Sequence, residues 1–141
     1  MTGWRRHLGI CTAVALVAAA SPARATATLT CDVDGREFAF HVQAAVGHEA
    51  LTLSGLRGEL RLPKEAIAVE LGSEELMQFW IEGEDLRLRF HVFAEGDKPD
   101  IDLVVVTRSK GPTDYRGTYR LRIGDGATAR RRRGDIGCAV G

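Results

Sequence analysis

The chain has 141 residues, of which 45% are hydrophobic and 27% charged, and 19 basic side chains balance 19 acidic ones. A chain of this length holds one domain, which excludes a multidomain enzyme. The composition also excludes a collagen-like chain and a strongly charged disordered protein. What remains is a small globular domain.

The first 25 residues have the layout of a secretory signal peptide. Arg5-Arg6 forms a positive head, residues 8–20 are apolar, and small residues precede an expected cleavage after Ala25. The apolar run has about 13 residues, fewer than the roughly 18 to 20 that a membrane-spanning helix needs, so we expect no stable anchor. General secretion and twin-arginine export both remain open. We predict a cleaved signal peptide over 1–25 and a single secreted domain over 26–141.

The predicted secreted domain is mildly acidic. Residues 26–141 carry 16 basic and 19 acidic side chains, which gives a formal charge of −3. Such a domain has no overall field that would attract nucleic acid or an anionic membrane. In the full chain arginine outnumbers lysine 16 to 3 and asparagine is absent, which is typical of codon bias in a GC-rich genome. We therefore expect a bacterial protein that is periplasmic or secreted, with no nucleic-acid partner.

Two cysteines remain after the predicted cleavage, one near each end of the domain. Cys31 and Cys138 have no second cysteine or histidine at C-x-x-C or C-x-x-H spacing, which argues against a redox or metal-binding pair. An even pair in an exported domain predicts one disulfide. Closing a loop of about 107 residues would stabilise the fold by on the order of 4 kcal/mol. The first and last strands are therefore predicted to be neighbours.

Apolar and polar residues alternate with a period of two through most of the domain, which indicates half-buried antiparallel strands. The predicted strand segments contain residues 29–31, 38–42, 51–62 with a bend between Gly55 and Gly58, 67–71, 76–81, 86–92, 101–106, 115–123 and 136–140. Residues 64–71 are ambiguous, because Lys64-Glu65-Ala66 could open one helical turn, and we favour a strand over part of this segment. Glu82-Gly83-Glu84-Asp85 predicts a tight hairpin turn.

The run 101–106 becomes apolar on both faces, which predicts a central strand packed on two sides. No long helix is indicated. The expected fold is all-β, a small antiparallel barrel or sandwich of about eight or nine short strands, with the terminal strands linked by one disulfide.

Catalytic and metal-binding patterns are weak. His41, His48 and His91 show no H-x-H or H-E-x-x-H spacing. The acidic turns at 32–37 and 97–102 do not follow the order of a calcium-binding EF-hand loop. No serine lies in a G-x-S-x-G motif. We expect no catalytic residues, no metal and no cofactor, and a small envelope enzyme stays open as an alternative.

Two predicted strands carry arginines on their polar faces. Arg116, Arg120 and Arg122 share one face, and Arg87 and Arg89 lie on the same kind of face in a hairpin. If these strands adjoin, the arginines form a cationic stripe that binds carboxylates or phosphates in bidentate pairs. The alternative is a solvated outer face whose arginines pair with neighbouring acidic residues.

The densest basic feature is the run Arg130, Arg131, Arg132 and Arg133, which comes just before the last predicted strand. Such a run is suited to docking on an acidic partner or on a phosphate-bearing envelope component. It is equally suited to protecting a sheet edge, because charge discourages further strand pairing.

These patterns predict a non-catalytic exported β-domain that binds a protein partner or a small ligand in the cell envelope, an accessory or inhibitor-like module. Its binding surface is expected in the loops 94–100 and 107–114 and on the arginine face. An alternative is a periplasmic carrier of a small apolar ligand, held in a barrel cavity lined by Phe38, Phe40, Phe90, Trp80 and the tyrosines Tyr115 and Tyr119. The sequence leaves the oligomeric state open.

Overall fold

The computed structural model describes residues 26–47 and 52–141. The predicted signal peptide, His48 and Leu51 lie outside the described residues. The strands are β1 (Ala27–Asp34), β2 (Ala39–Val46), β3 (Leu53–Leu62), β4 (Ile67–Leu71), β5 (Leu76–Glu82), β6 (Asp85–Val92), β7 (Ile101–Ser109), β8 (Asp114–Ile123) and β9 (Arg130–Val140). Single 3₁₀ turns occupy Pro63–Glu65 and Gly126–Thr128. Neither turn, nor any other helical segment in the described part, is long and apolar enough to cross a membrane.

All nine strands belong to one sheet, in the order β4-β3-β2-β1-β9-β8-β7-β6-β5. Every neighbouring pair is antiparallel, and the sheet curls into a nearly closed barrel. The expected all-β fold is confirmed, and of the two architectures the chain forms the barrel. Strands that follow one another in the chain are neighbours in the sheet, with one exception, because β4 and β5 do not pair. In addition, the first strand, β1, pairs with the last, β9.

The two edge strands behave as halves of one interrupted strand. Going round the sheet from β4 to β5 crosses only antiparallel pairs, eight in all, so β4 and β5 point in the same direction. β4 pairs with residues 58–62 of β3, and β5 pairs with residues 85–90 of β6. The barrel therefore resembles an eight-stranded up-and-down barrel in which one member is broken by residues 72–75.

Side chains that alternate inward from each strand fill the barrel. Leu60, Leu103 and Phe90 are among those with almost no exposed surface. The ring of Phe40 on β2 meets that of Phe90 on β6 at 5.6 Å between centroids, although β2 and β6 are not neighbours in the sheet. Side chains from opposite walls therefore touch across the interior, as in small barrels whose lumen is a packed core.

The disulfide closes the barrel between its terminal strands. Cys31 and Cys138 stand at directly opposed positions of β1 and β9, and both are buried. The predicted bond and the predicted pairing of the first and last strands are confirmed. Reciprocal backbone hydrogen bonds between Thr28 and Gly141 extend the same junction.

The structure corrects the prediction that the strand at 101–106 is packed on both faces. Val104 and Val106 point to the outer surface and are only half-buried, whereas Val105 is fully buried inside. The described residues form a single sheet, so within them no second sheet covers the outer face. β7 also continues to Ser109, which shortens the loop expected over 107–114 to residues 110–113.

Candidate functional site

The strand register gathers arginines from β6, β8 and β9 on one part of the outer surface. Arg89 stands opposite Val104, which stands opposite Arg120, which stands opposite Arg133. The stripe was expected only if the arginine strands adjoin, and they do not, because β7 lies between β6 and β8. The stripe is therefore interrupted by the side chains of β7.

A shallow groove of about 530 Å³ lies over these rows. Its lining residues are Arg89, Asp102, Val104, Arg120, Leu121, Arg122, Arg131, Arg132 and Arg133. Val104 is the one β7 residue in the row of Arg89, Arg120 and Arg133, and its small side chain leaves room between the long arginines. We call this feature the arginine groove.

Two arginines of the groove are neutralised by aspartates. Arg89 donates two hydrogen bonds to Asp102, from Nε to Oδ1 at 2.9 Å and from Nη2 to Oδ2 at 3.2 Å. This bidentate contact raises the pKa of Arg89 above its ordinary value. Arg122 bonds to Asp125 at 2.8 Å and to Asp100 at 3.3 Å. These two guanidinium groups are fixed in place and largely compensated.

Three arginines of the groove are not compensated in this way. Arg120, Arg131 and Arg133 form no ion pair with any carboxylate of the described residues. Arg120 stands directly opposite Arg133 in the register, and Arg122 stands directly opposite Arg131. Like charges in such cross-strand pairs are destabilising, so the fold maintains positive charge here against a cost.

The run 130–133 is not one exposed cluster, and this corrects the prediction that it precedes the last strand. β9 begins at Arg130, so its side chains alternate between the two sides of the barrel wall. Arg131 and Arg133 face outward into the arginine groove, whereas Arg132 is only 17% exposed. Arg130 and Arg132 turn to the opposite side, toward the 3₁₀ turn that follows β3, but Arg130 at the start of the strand remains 57% exposed.

The partner of these two inward arginines is Glu65. Its Oε1 accepts hydrogen bonds from Arg130 at 2.8 Å and from Arg132 at 2.5 Å, and its side chain is only 7% exposed. Arg132 also donates to the backbone carbonyl of Glu37 at 2.5 Å. Oε2 of Glu65 is buried without a hydrogen-bond partner among the described residues. This cluster, Glu65 with Arg130 and Arg132, ties β9 to the turn between β3 and β4.

Sequence reasoning missed Glu65, although a signal was present. Arg130 and Arg132 lie an even number of residues before Ile136 and Cys138, which are the buried residues of the same strand, so all four positions belong to the same face. Extending the alternation of the last strand backward through Gly134 would have placed both arginines on the inner side, where Arg132 is largely buried and Arg130 stays more than half exposed. A buried arginine then requires a buried carboxylate, and Glu65 is the one that the fold supplies.

Arg87 and Arg116, the remaining predicted binding residues, lie outside the groove. The guanidinium of Arg87 sits over the ring of Trp80, 5.2 Å from its centroid, as in a cation–π contact. Arg116 is paired with Asp114 at 3.1 Å on the same strand. Both arginines are occupied by local contacts on the outer face.

The histidines in the described part are also paired with carboxylates. His91 Nε2 lies 3.0 Å from Asp100, and His41 contacts Asp32 on the neighbouring strand. Within 26–47 and 52–141, no group of three or more histidine, cysteine, aspartate or glutamate side chains has an arrangement that would hold a metal ion.

The chain matches no family model, no curated protein and no solved structure.

Proposed function

We propose that this chain is an exported, non-catalytic binding module of the bacterial cell envelope, and that the arginine groove captures an anionic group of its partner. The observation that carries the proposal is the placement of Arg120, Arg131 and Arg133 around one groove without a compensating carboxylate among the described residues. A surface that only needed solubility would gain nothing from opposing like charges across two strands. An incoming anion removes that repulsion.

The chemistry of the groove suits carboxylates and phosphates. Guanidinium groups donate parallel hydrogen bonds to the two oxygens of such a group, and these charge-assisted contacts are among the strongest in proteins. Arg89 and Arg122 are already oriented by Asp102 and Asp100, so the rim of the groove is rigid before a ligand arrives. A preorganised rim lowers the entropic cost of binding.

The carrier hypothesis has less support than the binding module. An apolar ligand inside the barrel would need the space where Phe40 and Phe90 now meet. None of the five pockets described is lined by both of these rings. A pocket of about 340 Å³ is lined by Phe38 and Tyr119, but its other lining residues include Arg36, Glu37, Arg132 and Arg133, whose charges do not suit an apolar ligand.

The test compares the parent with a double variant, Arg120→Gln/Arg133→Gln, titrated with inorganic pyrophosphate and with hexaglutamate. Each lost charge-assisted contact is worth about 1.5 kcal/mol or more, so we expect the loss of two to lower the affinity for the preferred probe about a hundredfold or more. Arg61→Gln is the matched control, because Arg61 is an exposed arginine on β3, away from the groove.

The interpretation of this titration depends on leaving Arg130 and Arg132 intact. Removing the whole run 130–133 would strand the buried carboxylate of Glu65 and confuse lost binding with lost stability. Equal affinity in the parent and the double variant, or no binding of either probe to the parent, would refute the proposal.

Export is part of the same proposal and has its own test. The mass of the protein recovered from the periplasm of a bacterial host should correspond to residues 26–141 with the disulfide formed. Recovery of the intact chain from the cytoplasm alone would contradict export, while leaving the chemistry of the arginine groove open to the titration above.

A further inference from the structure

The interruption between β4 and β5 leaves strand edges exposed on a second part of the surface. β4 pairs only with β3, and its other edge has no strand partner among the described residues. On β6, the pairing with β5 ends at Phe90, beyond which a single backbone bond joins His91 N–H to the carbonyl of Glu75 at 2.8 Å. The two exposed edges belong to β4 and to the end of β6.

A groove of about 600 Å³ lies between these edges. Ala68, Val69 and Glu70 of β4 line one side, and His91 and Val92 of β6 line the other. The segment after β6 and the turn before β5 complete its lining with Phe93, Glu95, Lys98, Glu74 and Glu75. We call this feature the edge groove.

The edge groove is acidic. It contains four glutamates and a single lysine, and none of the four carboxylates forms an ion pair within the described residues. Glu75 accepts one hydrogen bond, from the backbone N–H of Gly72 at 2.7 Å. The charge of the edge groove is opposite to that of the arginine groove, so the two surfaces select different partners.

The edge groove also has an exposed aromatic side chain. Phe93 is 68% exposed, the most exposed large apolar residue in the described part of the chain. Its ring meets that of His91 edge-on, with centroids 4.5 Å apart, and this contact holds it beside the groove. An aromatic ring next to uncompensated carboxylates suits a ligand with both cationic and apolar side chains.

We infer that the edge groove binds an extended segment of a partner protein that carries alternating basic and apolar side chains, and that this segment adds to the free edge of β4 as a new strand. Strand addition uses backbone groups that a sheet edge leaves unpaired. β4 has five residues, which span about 17 Å, so a five-residue segment matches its length. The glutamates then bind the basic side chains, and Phe93 contacts an apolar one.

The probe is the blocked pentapeptide Lys-Val-Lys-Val-Lys, added to the isotope-labelled, oxidised protein. We expect saturable amide shifts confined to residues 68–71 and 91–93, and at least tenfold slower hydrogen exchange in β4. A peptide with N-methyl groups on its two valines keeps the charge and removes backbone donors, and it should bind at least tenfold more weakly. The peptide Glu-Val-Glu-Val-Glu should not bind.

Variants of the protein separate the contributions of charge and aromatic contact. Glu70→Gln/Glu95→Gln should weaken binding of the lysine peptide about tenfold, whereas Glu82→Gln/Glu84→Gln, at the far turn of the β5–β6 hairpin, should leave it unchanged. Phe93→Ser should weaken it severalfold, and because the ring is exposed the fold should tolerate the change.

Three outcomes would overturn the inference. One is equal binding of the N-methylated peptide, which would show attraction by charge alone. Another is the absence of saturable shifts at millimolar peptide. The third is self-association that Arg120→Gln/Arg133→Gln abolishes, because a second copy would then occupy the edge groove through its arginine groove. If the edge groove binds as inferred, Arg120→Gln/Arg133→Gln still binds the lysine peptide. The edge-groove inference and the arginine-groove proposal can therefore be refuted independently of each other.

Discussion

Neighbouring arginines of β9 are expected to differ sharply in what they contribute to stability. Arg132 contacts Glu65 and is 17% exposed, whereas Arg133 faces the outer groove and has no carboxylate partner in the described part of the chain. The prediction is tested by comparing the stability of two single variants, Arg132→Met and Arg133→Met. They remove the same charge from adjacent positions.

The structure sets the size of the difference. Breaking a buried ion pair by removing one partner costs about 3–5 kcal/mol, because the remaining charge stays buried. Arg130 still reaches the same oxygen of Glu65 at 2.8 Å, so Arg132→Met should cost about 3 kcal/mol, the lower end of that range. Arg133→Met should change the free energy of unfolding by about 0.5 kcal/mol or less. It also relieves repulsion with Arg120.

Urea unfolding of the oxidised protein, followed by circular dichroism, measures both variants. With an m-value of about 2 kcal/mol/M, Arg132→Met should lower the midpoint by about 1.5 M, while Arg133→Met should leave it nearly unchanged. Replacing the whole cluster by Glu65→Leu/Arg130→Met/Arg132→Met should recover most of the loss, because no charge is left buried. Equal midpoints for the two single variants would refute the assignment of inward and outward faces.

Three further predictions concern other parts of the barrel. Cys31→Ser/Cys138→Ser should lower the free energy of unfolding by about 4 kcal/mol, and a midpoint equal to that of the oxidised parent would contradict this. Gly117→Ala should cost about 2 kcal/mol or more, because a Cβ would lie 2.0 Å from a backbone carbonyl oxygen of β7, whereas Gly111→Ala meets nothing within 4 Å and should be neutral in thermal melts. Burial raises the pKa of Tyr119 above its ordinary value, so the folded state favours the protonated phenol; stability should fall as pH rises above about 10, and Tyr119→Phe should flatten that fall in urea titrations.

Much of the fold was predictable from local patterns. The hairpin of β5 and β6 follows from alternation and from the Glu82–Asp85 turn, and Gly83 there adopts a φ of +57°, which glycine tolerates. The segment 64–71 was ambiguous between a strand and one helical turn, with a strand favoured over part of it, and the structure has both, a 3₁₀ turn over Pro63–Glu65 followed by β4. These features depend on residues close together in the chain, so the sequence carries them directly.

The candidate sites were harder to predict, because both depend on how distant strands register. The separation of β6 from β8 by β7, the opposition of Arg120 to Arg133, and the contact between Arg132 and Glu65 all require knowledge of which strands pair. The edge groove likewise exists only because β4 and β5 pair with different neighbours and point the same way.

The sequence by itself determined the strand content, the inward and outward alternation of most strands, and the pairing of Cys31 with Cys138, since each follows from period-two patterning or from cysteine number. Tertiary structure alone decided that the sheet curls into one barrel in which β4 and β5 form one interrupted strand. It also decided which arginines have no carboxylate partner among the described residues. The physical reason is that burial and cross-strand partners are set by the register between segments tens of residues apart, and a one-residue shift in the register of β9 would exchange its two faces.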